Sequence, residues 1–495
     1  MALDLRINEY LVNEIMMATA EIMKRTITNL RKEEKNMYLL TVAHTLEVYK
    51  LTKLFLPADF LTEVTPVLMV HIDNMITGNQ KQAIDLGNSC FTNLSIVMMR
   101  GILFPCISAL DMRFIKNRYS QKGLIHNLHT LTHLEELKIP EECCSLPSLT
   151  VRLKYLNNLT TFILKKSSTD AMISKLAEHC PQIRHLDVQN SAEITKESRS
   201  HFLRLQNLVY LNISSTSISK EDYTYILTKL EKIINISWKD YGTEEILNGT
   251  NGELLENKAV FEGKFLIPRK VVERCPNIKT FELDTNDIIN LTPITNLFLL
   301  TNLSLNNLNF KKCNLEQVFD TLGERLEELT FYKIDELNVH SVIKNCNLLH
   351  ILLIHQCNLV FTEIKVDGNL PHFHRLTKLS LVRNIGYEEY IDKINYYKCL
   401  TYLHLDIVED IGNNFFNKAI ESGAFKHLQQ FYFKGVANFN LKVAKNLINS
   451  SPQLNYLGFW RHWRGVTETE IKVIKYMARI KKYNIQISES NWFEF

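Results

Sequence analysis

The chain has 495 residues, 45% of them hydrophobic and 22% charged, with a formal net charge of +3. That balance excludes a disordered chain, a strongly basic nucleic-acid binder and a disulfide-stapled domain, because ten cysteines are spread too thinly for one. MALDLRINEY lacks the apolar core of a secretory signal, and the run LSIVMM–GILF is broken by Arg100 and too short for a bilayer. The expectation is a protein of the cytoplasm or nucleus, with reduced thiols and no membrane or nucleic-acid partner.

Taken in chain order, the first ninety residues read as three helical segments. The first spans about 5–31, with Leu11, Ile15, Ile22 and Met23; the second spans about 36–54, with Leu39, Ala43, Leu46 and Leu54; the third follows LPADFLTEV at 56–64. A repeat then takes over. The frame L-x-x-L-x-L is laid down as LEELKI (134–139), LTTFIL (159–164), IRHLDV (183–188), LVYLNI (208–213), IINISW (233–238) and IKTFEL (278–283). It continues as LTNLSL (300–305), LEELTF (326–331), LHILLI (349–354), LTKLSL (376–381), LTYLHL (400–405), LQQFYF (428–433) and LNYLGF (454–459). Successive starts lie 25, 24, 25, 25, 45, 22, 26, 23, 27, 24, 28 and 26 residues apart. A sustained period of about 20–29 residues means a leucine-rich-repeat array. Either LSIVMM (94–99) or ISALDM (107–112) is a degenerate leading copy.

Amphipathic stretches such as DAMISKLAEHC (170–180), EDYTYILTKL (221–230) and LKVAKNLINS (441–450) lie between the frames. Each repeat is therefore predicted as a strand followed by a helix. The expected fold class is α/β, a leucine-rich-repeat solenoid or horseshoe with parallel strands on its concave face and helices on its convex face. Cys180, Cys275 and Cys346 each stand three residues before a frame, and Ser451 holds the same phase. A small apolar side chain with a weak donor suits a tight helix-to-strand corner, and Cys143, Cys144 and Cys399 read as equally structural. The gap of 45 residues holds an insertion at 239–264 whose polar, glycine-containing first half favours a flexible excursion over an extra coil.

The run CPQIRHLDV, with CPNIKTFEL and the looser CNLLHILLI and SPQLNYLGF, resembles the cysteine-containing leucine-rich repeats. These are best known from the F-box/LRR substrate receptors of cullin-RING ubiquitin ligases. The resemblance covers about 131–487 and implies an inner surface that binds a protein. It also frames the N-terminus: Leu56-Pro57 with Phe60 and Leu61 is similar to the opening of an F-box and would be the adaptor contact. Pro66 interrupts that helix, however, and the Val-Cys…Trp close of an F-box is absent. The first helix is also similar to the adaptor-binding helix of the Zyg-11 type of receptor, but it lacks that motif's cysteine. A plain helical cap over the end of the array is the other reading of 1–90. The domain plan is then a cap or adaptor segment at 1–90, a solenoid at 91–487 and a tail at 488–495.

No phosphate-binding G-x-x-x-x-G-K-[ST], no G-x-G-x-x-G and no H-E-x-x-H is present, so neither an enzyme nor a cofactor is expected. His355, Cys357, HFH (372–374) and Cys399 do not converge as metal ligands. Alternation along a strand sends the residues between the frame positions to the concave face. Its front half reads small and polar at the third such position. Its back end gathers Tyr402, Tyr432, Tyr456, Trp460 and Arg461, with His404, Asp406 and Lys434 beside them. Aromatics and arginine dominate interface hot spots, so these residues are the expected partner site; the tyrosines packing on one another is the competing reading. The function expected is recognition of a protein, as the substrate receptor of a ubiquitin ligase, or alternatively as a scaffold or regulator without a ligase link.

Overall fold

The computed structural model describes residues 101–238, 243–249, 254–263, 268–360, 373–407, 413–435, 440–458, 466–480 and 485–487, with isolated positions between 65 and 100. The chain divides into two compact units, Met1–Trp238 and Lys239–Phe495. In the first unit the strands are β1 (Ala109–Asp111), β2 (Glu136–Lys138), β3 (Thr161–Ile163), β4 (His185–Asp187), β5 (Tyr210–Asn212) and β6 (Asn235–Trp238). β1 to β5 form a parallel sheet in chain order. The fourth frame residue is in register from coil to coil, Leu137 to Phe162, Leu186 and Leu211, and each is buried completely. Burial of each such side chain contributes about 1.5–3 kcal/mol. Between β5 and β6 the Asn235 side chain stitches the coils, accepting from Leu211 N at 2.9 Å and donating to Leu211 O at 2.8 Å.

In the second unit the strands are β7 (Val260–Gly263), β8 (Thr280–Asp284), β9 (Asn302–Asn306), β10 (Glu328–Tyr332), β11 (Leu337–Asn338), β12 (Ile351–His355) and β13 (Leu359–Val360). They are followed by β14 (Lys378–Val382), β15 (Tyr402–Ile407), β16 (Gln430–Gly435), β17 (Tyr456–Gly458) and β18 (Gln486–Ile487). All pair in parallel with their neighbours, and β11 and β13 form a small ladder of their own. One strand per repeat, in parallel and in register, makes the chain an α/β leucine-rich-repeat solenoid. Each expected frame whose residues are described carries its strand at the third to fifth position or just beyond. ISALDM supplies β1 and is the leading coil, whereas the described positions of LSIVMM are helical.

Three expectations are corrected. The 239–264 stretch contains a coil, with helix Thr243–Asn248 and strand β7. Its frame is K-A-V-F-E-G: Lys258 stands where a leucine is expected, 25 residues after Ile233 and 20 before Ile278, and is fully buried. The outer segments are also not uniformly helices. Thr292–Asn296 and Asp392–Tyr396 are 3-10 turns, the form short repeats take when Pro293 or too few residues leave no room for a longer α-helix. Finally, Cys144 and Cys399 are exposed rather than packed.

The corner residues have a second role besides filling space. Cys180 caps helix Asp170–His179, and its thiol donates to Leu156 O at 3.3 Å, the corner carbonyl of the preceding coil. Ser451 caps Leu441–Ser450 and its hydroxyl donates to Phe425 O at 2.7 Å, the same bond one repeat class later. Burial pushes the Cys180, Cys275 and Cys346 thiols up to about 12, so almost no thiolate exists at neutral pH. In mass-resolved alkylation at pH 7.4, Cys144 and Cys399 should label first, with those three reacting only as the coils open. Rapid labelling of the three would remove the corner account.

Strand exits repeat as well. Lys166, Asn190, Ser215, Asn307, Lys333, Gln356 and Arg383 have φ between 51° and 69°, each seven residues after the start of its frame. Lys166, Asn190, Asn307, Lys333, Gln356 and Arg383 donate their main-chain N–H to the following coil, for example Lys333 to His355 O at 2.9 Å and Arg383 to Asp406 O at 2.8 Å. At the front of the first unit, Gly123 brings helix Arg118–Asn127 against Ser95. A Cβ there would lie 2.7 Å from Ser95 O, so only glycine permits the Ser95 hydroxyl to reach Tyr119 O at 2.7 Å. Leu56, Pro57, Phe60 and Leu61, most of the 1–90 segment and the 488–495 tail lie outside the described residues.

Candidate functional site

The sheet face of the second unit that lies opposite the frame leucines carries three rows. Register places Lys378, Tyr402, Gln430 and Tyr456 in the first row. Ser380, His404, Tyr432 and Gly458 form the second, and Val382, Asp406 and Lys434 the third. The sequence-predicted tyrosines therefore meet. Tyr432 lies 5.3 Å from Tyr402 and 4.8 Å from Tyr456 between ring centroids, and His404 is 5.6 Å from Tyr432. Trp460 and Arg461 lie outside the described residues.

The rings are less open than a contact surface requires. Tyr432 is 6% and Tyr456 8% exposed, while Tyr402 is half-buried. The cause is Gly458: a Cβ there would lie 2.7 Å from Tyr432 Cδ1 and 3.0 Å from Tyr456 Cε1. Its missing side chain lets Tyr432 lean across β17 and stack on Tyr456. For Tyr432 and Tyr456 this matches the competing reading, in which the tyrosines pack on one another, and truncating either would open a packing defect.

A polar track crosses the same face. His355 Nε2 and Ser380 Oγ are 2.9 Å apart, and Ser380 Oγ and His404 Nδ1 are 3.3 Å apart. Burial, then the neighbouring His355, pushes His404 down to about 4, against the upward pull of Asp406. Burial followed by Lys378 lowers His355 as well. Both imidazoles are thus neutral at physiological pH, and the track holds side chains in place without a charge. Burial, then Tyr456, pushes the Tyr402 hydroxyl up to about 12. Ser380 is 3% exposed, and the strands on both sides of it are paired in the parallel ladder. The flanking strand N–H groups are committed there, leaving no donor pair for an oxyanion.

Charge gathers at the edge of this cluster. Asp406 Oδ2 is 3.3 Å from Arg383 Nε and 3.6 Å from Lys434 Nζ, and the Lys378 amine sits 4.9 Å from the Tyr402 ring centroid. The Arg383 side chain is 57% exposed. His355 shows no convergence with cysteine: its imidazole points to Ser380, while Cys357 Sγ donates to the His355 carbonyl at 3.3 Å. Among the described residues no group of three or more potential metal ligands clusters, and no helix is long and apolar enough to cross a membrane.

Sequence reasoning missed a stacked pair on the first unit. His185 and Tyr210 are in register on β4 and β5 with ring centroids 4.3 Å apart. Both occupy the first outward position of their frames, a row that would have revealed them had it been read along the whole array. Ser380 was legible as an outward residue, but its two histidine neighbours come from different coils.

No protein-family model matches the chain, and no curated protein matches it. Among solved structures, the chain is similar to an internalin, inlF, from Listeria monocytogenes, at 16% identity over 69% of this chain and 89% of that one, with a TM-score of 0.38. It is similar to a structure of the Rad7 and Elc1 complex in yeast at 13% identity, over 82% of this chain and 94% of that one, with a TM-score of 0.43. It is also similar to the Leptospira interrogans LRR protein LIC12759, at 15% identity over 79% and 91% of the two chains, with a TM-score of 0.30.

Proposed function

We propose that the chain is a non-enzymatic protein-recognition module whose second unit binds a partner on the face of β14 to β17, and that it serves as a substrate receptor of a cullin-RING ubiquitin ligase. The observation that carries the binding half is the arrangement of charge around stacked rings. Lys378 lies over Tyr402, which rests on the buried Tyr432–Tyr456 pair, and on the same face Arg383 and Lys434 gather around Asp406, four residues further along β15. Rigid aromatic support with an exposed arginine beside it is the composition of an interface hot spot. His404 supports Tyr432 from below the rim, and Trp460 and Arg461 would extend the face beyond β17. The ligase half rests on the C-P-x-[IL] repeats and on Leu56, Pro57, Phe60 and Leu61 as the adaptor contact.

Tyr402→Ala, or Arg383→Glu combined with Lys434→Glu, should weaken capture of a specific partner by about 1–3 kcal/mol, roughly 5- to 150-fold. Melting should stay close to wild type for Tyr402→Ala, whose side chain is half-buried; the charge-reversal pair also strips Asp406 of both cationic neighbours, so its capture is compared at a temperature well below its own melting point. Tyr432 and Tyr456 are poor test positions, since their truncation would also unpack the sheet face. Purification of the full chain from cell lysate, with quantification of partners and cullin adaptors, checks both halves. An unchanged partner profile in the variants would sink the binding face. Absence of any adaptor from wild type, or its retention by a Leu56→Ala/Phe60→Ala/Leu61→Ala variant, would leave a scaffold.

A further inference from the structure

A cleft of about 570 Å3 opens on the first unit between helix Arg118–Asn127, helix Leu146–Arg152 and the helical residues Thr92 and Ile96. Its lining combines Lys122, His126 and Arg152 with the hydroxyl residues Thr92, Ser145 and Ser148 and the apolar Ile96, Pro147 and Val151. No carboxylate is among its described lining residues. Six other cations of this unit, Arg113, Lys138, Lys165, Lys166, Lys175 and Arg199, each sit against an aspartate or glutamate. Neither Lys122 nor Arg152 has such a partner among the described residues. In a chain whose net charge is only +3, this is a local concentration of unmatched positive charge.

Neighbouring charges already act on His126, which is lowered by burial first and then by Arg152, His129 and Arg100. His129 stands 6.1 Å from His126 between centroids and 6.0 Å from the Tyr155 ring, over which Lys154 and Arg152 also lie. Such mutual repulsion is relieved by an anion placed among the groups, and hydroxyls facing the same space add donors to its oxygens.

We propose that this cleft binds the phosphoryl dianion of a phosphorylated peptide segment, with Lys122 and Arg152 as its cationic clamp and the His126 imidazole as a further N–H donor. The volume exceeds what a phosphate needs and falls within the range of pockets that enclose a small organic ligand. Ile96, Pro147 and the exposed Val151 offer aliphatic contact to the residues flanking the modified side chain. A nucleic-acid backbone would instead call for a row of cations with stacking rings between them, whereas here the charges converge on one cleft with apolar walls. The inference stands apart from the partner-binding reading of the second unit, because it uses none of that unit's residues.

Histidine NMR on the full chain gives the first readout. Inorganic phosphate should raise the His126 titration midpoint, because the dianion cancels the field that depresses it; chloride at equal ionic strength should not. The second readout is fluorescence anisotropy with a phosphoserine peptide of aliphatic flanks, its unphosphorylated form and a single-stranded oligonucleotide. The phosphopeptide should bind about tenfold or more tightly than its unphosphorylated form. That preference and the His126 shift should both vanish in Lys122→Gln/Arg152→Gln, which removes exposed or half-buried groups and should leave melting unchanged. A His126 midpoint indifferent to phosphate would overturn the proposal. So would equal binding of both peptides, or an oligonucleotide that the phosphopeptide cannot displace. Should the double variant melt early, the single Lys122→Gln chain carries the same comparison.

Discussion

Cys180→Asp should destabilise the first unit by at least about 3 kcal/mol at pH 7, because a carboxyl group would be buried without a partner. The thiol it replaces donates to Leu156 O and is completely buried. An ionised carboxylate cannot donate to that carbonyl, so the native state must hold the group protonated. Its folded-state pKa would then lie above the unfolded value of about 3.9. The deficit should therefore shrink as pH falls towards 4 and be fully present above the raised folded-state value. Cys180→Ser should cost much less, about 1 kcal/mol, since Ser451 makes the equivalent bond to Phe425 O in the same chain. Urea unfolding of the two variants at pH 7 and pH 5 checks this. Equal losses for serine and aspartate would show that the corner demands volume alone and not a donor.

The second large effect belongs to Lys258. Burial pushes its amine down to about 8, with Cys275 pulling it the other way, while an unfolded lysine titrates near 10.4. Between those values the unfolded chain binds more protons than the folded one, so stability rises with pH across that window. Below about pH 8 the full penalty is present, on the order of 3 kcal/mol; above about pH 10.4 it is gone. Lys258→Met places an apolar chain of similar length at a frame position and should remove this slope. The expected result is a stability difference between variant and wild type that narrows by about 3 kcal/mol from pH 7.5 to 10.5. Taking the difference cancels the titration of the buried Tyr390 and Tyr397, which both chains share. Parallel curves for the two proteins would mean the amine is not held neutral in the folded chain.

Lys258 also explains where sequence reading stopped. The L-x-x-L-x-L frame marks a strand wherever a large apolar side chain fills its three inward positions, and it located β2 to β6, β8 to β10, β12 and β14 to β17, with β1 as one of two candidates for a leading copy, because burial is what those positions encode. K-A-V-F-E-G fails the pattern at both ends, with Lys258 first and Gly263 last, so its coil was taken for an excursion. The candidate face divides in the same way. Alternation put Tyr402, Tyr432 and Tyr456 on one side of one sheet, as their register and ring distances bear out. How deep each ring lies depends on Gly458 in a different coil, and side-chain lean of that kind has no period to read. The cleft of the first unit is harder still, because Thr92, Lys122 and Arg152 come from three segments that no repeat relates.

The strand exits bear on how such an array comes apart. A side chain held at φ near +55° costs about 1 kcal/mol relative to an ordinary backbone, and seven of these exits carry no glycine. What offsets the strain, at Lys333 and Arg383 for example, is a bond from the exit N–H to a carbonyl of the next coil. An exit is thus stable only while its successor is in place: strip away one coil and the turn before it loses its acceptor and relaxes. Unfolding from an end would then run as a zipper, each opened coil weakening the one it leaves exposed, with coupling directed back along the chain rather than shared evenly between neighbours.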